Sequence, residues 1–164
     1  MRFKKIIVLS MIISLILLIC TLLLPNINID KDTISYNSND VYSIKAYNAI
    51  GDINKYIKIS DNIDKKVLGN YQVTVKVRYL FYRYNKIFDI KVVDRVKPEV
   101  ELKGNNPSYV CPNKNYDEEG YTASDDYDGD ITGKVNIEKN GNFIIYSVKD
   151  SSGNKNEIRR SIIF

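Results

Sequence analysis

The chain has 164 residues, 44% of them hydrophobic and 27% charged, with a formal net charge of +4, which is the make-up of a folded chain and not of a disordered or collagen-like one. It contains no histidine, and this excludes His-based triads, Cys-His dyads and most zinc or iron centres. Its two cysteines, Cys20 and Cys111, fall in an apolar run and in the distal region, so no disulfide framework is expected.

The first predicted element is residues 6–24, nineteen consecutive residues without a charge, preceded by Arg2, Lys4 and Lys5. At about 1.5 Å per residue such a helix spans the hydrocarbon layer of a bilayer. The run passes directly into Pro25-Asn26-Ile27-Asn28 with no small-x-small cleavage site, and Ile19 stands where a lipobox needs a small residue before Cys20. A retained transmembrane anchor is therefore expected, with a cleaved signal peptide as the alternative. The cationic flank assigns residues 1–5 to the cytoplasm and residues 25–164 to the outer side.

Beyond the anchor the charge divides. Residues 28–97 hold thirteen Lys/Arg against eight Asp, and residues 98–164 hold eight Lys/Arg against twelve Asp/Glu. A basic membrane-near half suits anionic lipid headgroups or wall polymers, the plain alternative being a solvated face, and nucleic acid is not an expected partner there. Gly51-Asp52-Ile53-Asn54-Lys55 overlays Gly129-Asp130-Ile131-Thr132-Gly133, and Gly69-Asn70-Tyr71 overlays Gly141-Asn142-Phe143. This internal similarity predicts two related units, 28–97 and 98–164. Between them Asp94-Arg95-Val96-Lys97-Pro98 lacks any Gly or Ser run, which predicts a short, stiff linker.

Within each unit the pattern is that of strands. Tyr71, Val73, Val75, Val77 and Tyr79 alternate with polar residues, as do Ile144, Tyr146 and Val148, so each strand buries one face. Asn140-Gly141 signals a hairpin, and Asp150-Ser151-Ser152-Gly153-Asn154 a turn into a last strand over residues 157–164. No segment after Leu24 shows sustained helical periodicity, which predicts an all-β fold.

Asp125-Asp126-Tyr127-Asp128-Gly129-Asp130-Ile131-Thr132, then Gly141-Asn142-Phe143, then Val148-Lys149-Asp150-Ser151-Ser152-Gly153-Asn154 resemble the Ig-like domain of bacterial surface proteins. Pro98-Glu99-Val100, and Tyr116 through Gly120 to Ala123, match its first half. The resemblance covers residues 95–164 and implies two small immunoglobulin-like β-sandwich modules in tandem after one transmembrane helix. Modules of this kind are repeated extracellular spacers, stalks or adhesive units, sometimes ahead of a wall-active enzyme. The first unit departs from the pattern, since Tyr79-Leu80-Phe81-Tyr82-Arg83-Tyr84 stands where the Asp-Ser-Ser-Gly-Asn turn belongs, and it reads as a diverged copy.

Three features carry possible chemistry. Asp117, Glu118, Glu119, Asp125, Asp126, Asp128 and Asp130 crowd into fourteen residues. Asp126, Asp128 and Asp130 are the candidate ligands for a weak extracellular calcium site, although the spacing is not that of an EF-hand. The simpler reading is that these residues build tight turns through Asx hydrogen bonds. Nothing marks a cleft in which paired carboxylates would act on a glycan. The Tyr79–Tyr84 run reads as a strand apolar on both faces, covered by packing or offered to sugars or a partner protein. Cys111 reads first as a small buried residue and second as an exposed thiol.

The expected function is non-catalytic. It is a membrane-anchored spacer or interaction module at the bacterial surface, with no cofactor beyond the calcium candidate, whose partners are the membrane and a cell-wall polymer or surface protein. The alternative is the accessory N-terminal region of a cell-wall hydrolase or polysaccharide deacetylase.

Overall fold

A computed structural model describes residues 2–164. The apolar run forms helix α1, Arg2–Leu22, of which Phe3–Leu22 is long and apolar enough to cross a membrane and has no residue buried by the rest of the chain. The helix begins four residues before the uncharged run and stops two short of its end, because Pro25 disfavours helical backbone just before it. The hydroxyls of Ser10 and Thr21 donate to the carbonyls of Ile7 and Leu18, both at 2.8 Å. These bonds satisfy groups that would be costly to leave unpaired in lipid.

A boundary between Val93 and Asp94 divides the chain into two compact units. After α1 the first unit contains β1 (Asn26–Ile29), β2 (Thr33–Ser35), β3 (Ile44–Asn48), β4 (Gly51–Asp52), β5 (Ile57–Asp61), β6 (Gly69–Tyr79) and β7 (Tyr82–Val93). One sheet has the order β1-β3-β4, and the other β2-β7-β6-β5 with β2 parallel to β7. Residues of both sheets share one core: Ile27 and Ala46 from the first, Ile34, Val73, Val75, Val77 and Ile90 from the second, and Ile53 between β4 and β5. The alternation predicted in β6 is the alternation observed, with Val73, Val75 and Val77 inside and Lys76 and Arg78 outside. Each such aliphatic side chain contributes about 1.5–3 kcal/mol by leaving water.

The second unit contains β8 (Glu99–Leu102), β9 (Ser108–Tyr109), β10 (Tyr121–Asp125), β11 (Gly129–Asp130), β12 (Asn136–Asn140), β13 (Phe143–Lys149) and β14 (Lys155–Ile163). Its sheets are β11-β10-β8 and β12-β13-β14-β9, with β9 parallel to β14. Strand for strand this is the order of the first unit. Val100, Ala123, Ile131, Ile144, Tyr146, Val148 and Ile162 form its core. In both units a 3-10 helix of three residues follows the Gly-Asp strand, Asn54–Tyr56 and Thr132–Lys134, and Ile53 and Ile131 start them with almost the same backbone angles, φ −123°, ψ 20° and φ −119°, ψ 21°. The first overlay of the repeat thus falls on one local structure. The second does not, because Gly69 opens β6 whereas Gly141 and Asn142 form the turn between β12 and β13. The last strand begins two residues before its expected start.

The aromatic run is not one strand. Tyr79 and Tyr82 are cross-strand partners at the end of β6 and β7, and Leu80-Phe81 is the two-residue turn between them. Leu80 adopts φ 52° there. Phe81 is therefore exposed at a hairpin tip against Tyr82, ring centroids 4.4 Å apart, and Tyr79 packs on Tyr56 at 4.9 Å. A second correction concerns Cys111, which is exposed. It lies in an irregular stretch after β9 that has no strand neighbour to cover it.

Candidate functional site

The acidic loop of the second unit is built by its own hydrogen bonds. At the end of β10, Asp125 Oδ1 accepts the backbone N–H groups of Tyr127 and Asp128, both at 3.0 Å, which closes the turn into β11. Gly129 sits in that turn at φ +71° with nothing within 4 Å of where a Cβ would stand. Gly129→Val is expected to destabilise the second unit by about 1–2 kcal/mol, wholly through left-handed backbone strain. Denaturation of the variant checks this, and an unchanged midpoint would contradict it.

Asp130 Oδ1 accepts the Thr132 N–H at 2.9 Å and so starts the 3-10 helix, while the Thr132 hydroxyl accepts the Ala123 N–H at 2.9 Å. Asp128 reaches across to the turn between β13 and β14. Its two oxygens accept the Ser151 hydroxyl at 2.5 Å, the Ser151 N–H at 2.7 Å and Lys134 Nζ at 3.1 Å. The three candidate calcium ligands are therefore not gathered at one point. Asp128 and Asp130 are engaged in holding loops together, and Asp126 instead meets Asp125 and Asp94, with one oxygen of each of the three within 4.8 Å of the others.

Glu118 and Glu119 of the same acidic run lie beside a residue that the sequence pattern conceals. Arg160 lies on β14 with its side chain fully buried. Its Nη2 donates to the carbonyls of Lys103 and Gly120 at 2.6 and 3.2 Å, and its Nη1 to the Tyr116 hydroxyl at 2.9 Å. The carboxylates of Glu119 and Glu118 approach it to 3.3 and 3.7 Å, and the rings of Tyr146 and Tyr116 flank it at 5.9 and 6.0 Å. Glu118 also accepts from the Tyr146 hydroxyl and from the Gly120 N–H, the latter at 2.9 Å. A Cβ on Gly104, which has φ +77°, would stand 1.7 Å from Glu119 Oε2, so the approach of that carboxylate requires glycine. The only signal in the sequence is the spacing Ile158, Arg160, Ile162 on one strand face, which places a cation among inward residues.

Hydrogen bonds set the acidities. A bond from the Ser108 hydroxyl holds Glu119 below the usual carboxylate range, bonds from Ser151 do so for Asp128, and bonds from Thr132 for Asp130. Asp126 moves the other way, raised by partial burial and then by repulsion from Asp125 and Asp94. A carboxylate whose folded pKa is depressed stabilises the fold above its unfolded pKa, and that contribution is lost as pH falls through the folded value. Glu119, Asp128 and Asp130 act in this sense and Asp126 in the opposite one. The second unit is therefore expected to lose stability as pH falls below about 4, the ordinary carboxylate value. Denaturant midpoints at neutral and strongly acidic pH check this, and a higher midpoint in acid would contradict it.

In the first unit four cations line one groove. Lys55, Lys58, Lys76 and Arg78 line a shallow groove with Tyr56 and Ile57. The same unit bonds to the end of α1 and to the residues just after it, the Asn48 amide donating to the Leu23 carbonyl at 3.4 Å. The Ala49 N–H donates to the Leu22 carbonyl at 3.1 Å, the Tyr82 hydroxyl to Cys20 at 2.6 Å and the Tyr84 hydroxyl to Pro25 at 3.1 Å.

No curated protein matches this chain. The strand order, the Asp-Gly-Asp turn and the loop tied by Asp128 and Asp150 all lie within the segment that a known family describes. Residues 100–164, most of the second unit, match the family model described as bacterial surface protein, Ig-like domain.

Proposed function

We propose that this chain is a non-catalytic bacterial surface protein, held in the membrane by α1 and displaying two Ig-like modules outside as a spacer or interaction unit. The observation that carries this reading is the apolar helix, none of whose residues is buried by the rest of the chain, leading into β-sheet units, the second of which matches a surface-protein family over residues 100–164. The shared strand order supports reading the first unit as a diverged copy of the second. The absence of catalysis is supported by how the polar groups are used: Glu118, Glu119, Asp128 and Asp130 are all committed to bonds that hold loops. The cationic groove beside Tyr56 suits an anionic cell-wall polymer, for which attraction falls as salt screens it.

Protease added to wall-stripped cells is expected to degrade everything beyond α1 while the membrane fraction keeps the N-terminal fragment. A soluble mature protein starting near Asn26 would overturn the anchor. Capture of wall polymer by the detergent-solubilised chain, weakened by salt and by Lys76→Glu with Arg78→Glu, tests the groove, and capture indifferent to both changes would overturn it.

A further inference from the structure

Three carboxylates converge where the entry segment of the second unit meets the turn after β10. Asp94 is 6% exposed and Asp125 8% exposed, Asp126 is exposed, and one oxygen of each lies within 4.8 Å of the others. Among the described residues none of the three forms an ion pair. Asp94 has ordinary partners, its Oδ1 accepting the Val96 N–H at 2.8 Å and its Oδ2 the Asn154 amide at 3.4 Å. Asp125 does not. Its Oδ1 closes the turn, but its Oδ2 is buried with no hydrogen-bond partner, and a buried charged oxygen left so is costly.

The first unit supplies an internal control. At the same point of its sheet, the end of β3 facing Gly51 as Asp125 faces Gly129, stands Asn48. Asn48 Oδ1 closes the turn by accepting from the Ile50 and Gly51 N–H groups at 2.9 and 3.2 Å, and its Nδ2 donates to the Leu23 carbonyl at 3.4 Å. The turn therefore needs one acceptor oxygen and no charge. A neutral amide does the whole task in one unit, whereas in the other a carboxylate with one buried unpartnered oxygen stands beside two further carboxylates.

We infer that Asp94, Asp125 and Asp126 bind a hard divalent cation, calcium by the character of the ligands. Three carboxylates supply charge and several oxygens, and calcium accepts irregular shells of six to eight oxygens completed by backbone carbonyls and water, whereas magnesium demands a near-ideal octahedron at shorter distances. The mutual repulsion of three carboxylates whose oxygens lie within 4.8 Å of one another is what a bound cation removes. Bound there, the ion ties the segment entering β8 to the loop between β10 and β11, which no other charge in the unit does.

Calcium chloride titrated into the metal-stripped full chain in detergent, followed by calorimetry and by the unfolding midpoint, tests this. The expected result is saturable binding and a midpoint that rises more with calcium than with equal magnesium. At a hundredfold excess over Kd the folded-to-unfolded ratio of the second unit rises about a hundredfold. Asp125→Asn keeps the turn acceptor and removes the unpaired oxygen, so it is expected to fold and to lose the calcium response. Glu138→Gln, on an exposed strand, is expected to keep it. Absence of binding at ten millimolar calcium, an equal response to magnesium, or a response undiminished in Asp125→Asn would overturn the assignment.

Discussion

Replacing Arg160 with alanine is expected to cost the second unit about 3–5 kcal/mol, the largest single-residue effect in that unit. The side chain is fully buried, so truncation leaves a cavity. It also strips the Lys103 carbonyl and the Tyr116 hydroxyl of the guanidinium donor and leaves the Gly120 carbonyl with only the Lys103 N–H. The ion pairs themselves count for less, because Glu118 and Glu119 keep about a third of their side-chain surface in water, 31% each, and solvate readily once the cation is gone. Arg160→Met fills much of the cavity without restoring the donors and should fall between the alanine variant and wild type. Hydrogen exchange in β13 and β14 reads the effect directly. If both variants matched wild type, the buried network would carry no stability.

Burial also pushes the Tyr146 hydroxyl well above its ordinary pKa, reinforced by its bonds with Glu118 and Tyr116. Tyr146 therefore stays protonated, and a donor to Glu118, at neutral pH.

In the first unit the corresponding loss is expected from Ile90→Ala, about 2–5 kcal/mol. Ile90 lies on β7, is 1% exposed and faces Tyr71 across the hairpin of β6 and β7. It belongs to the core that draws on both sheets of its unit, so the vacancy opens between sheets where the backbone cannot collapse to fill it. Hydrogen exchange of β6 and β7 in the variant measures this. A loss below 1 kcal/mol would show that the first unit lacks a tightly packed core, which the divergence of its turns alone does not imply.

The parts of the fold that were legible are those in which one residue type forces one geometry. An uncharged run of nineteen residues announces α1, and the Val73, Val75, Val77 alternation announces a half-buried strand. Gly-Asp-Ile marks a strand end and a 3-10 helix in both units because the Asp side chain accepts the N–H of the residue two on, Asp52 from Asn54 at 2.6 Å and Asp130 from Thr132 at 2.9 Å. The hairpin at Leu80-Phe81 was read as continuous strand because both turn residues are strong strand formers and neither advertises the φ of 52° that Leu80 adopts. Arg160 was hidden beside Arg159, its exposed neighbour, since a pair of cations reads as solvated surface. Within the acidic run, composition showed that charge was crowded but not which oxygens were already spent. Asp94, thirty-one residues before Asp125, joins the cluster only through the pairing of β8 with β10.

The two cysteines permit the most direct test of the membrane-anchored, outward-facing account. Cys111 is exposed in the second unit, while Cys20 lies in α1. A charged maleimide that cannot cross membranes, applied to intact wall-stripped cells, is expected to label the membrane-bound protein at Cys111 and not at Cys20, and Cys111→Ser is expected to abolish the label. Labelling of Cys111 only after the cells are lysed, or recovery of labelled protein free of the membrane, would contradict the account.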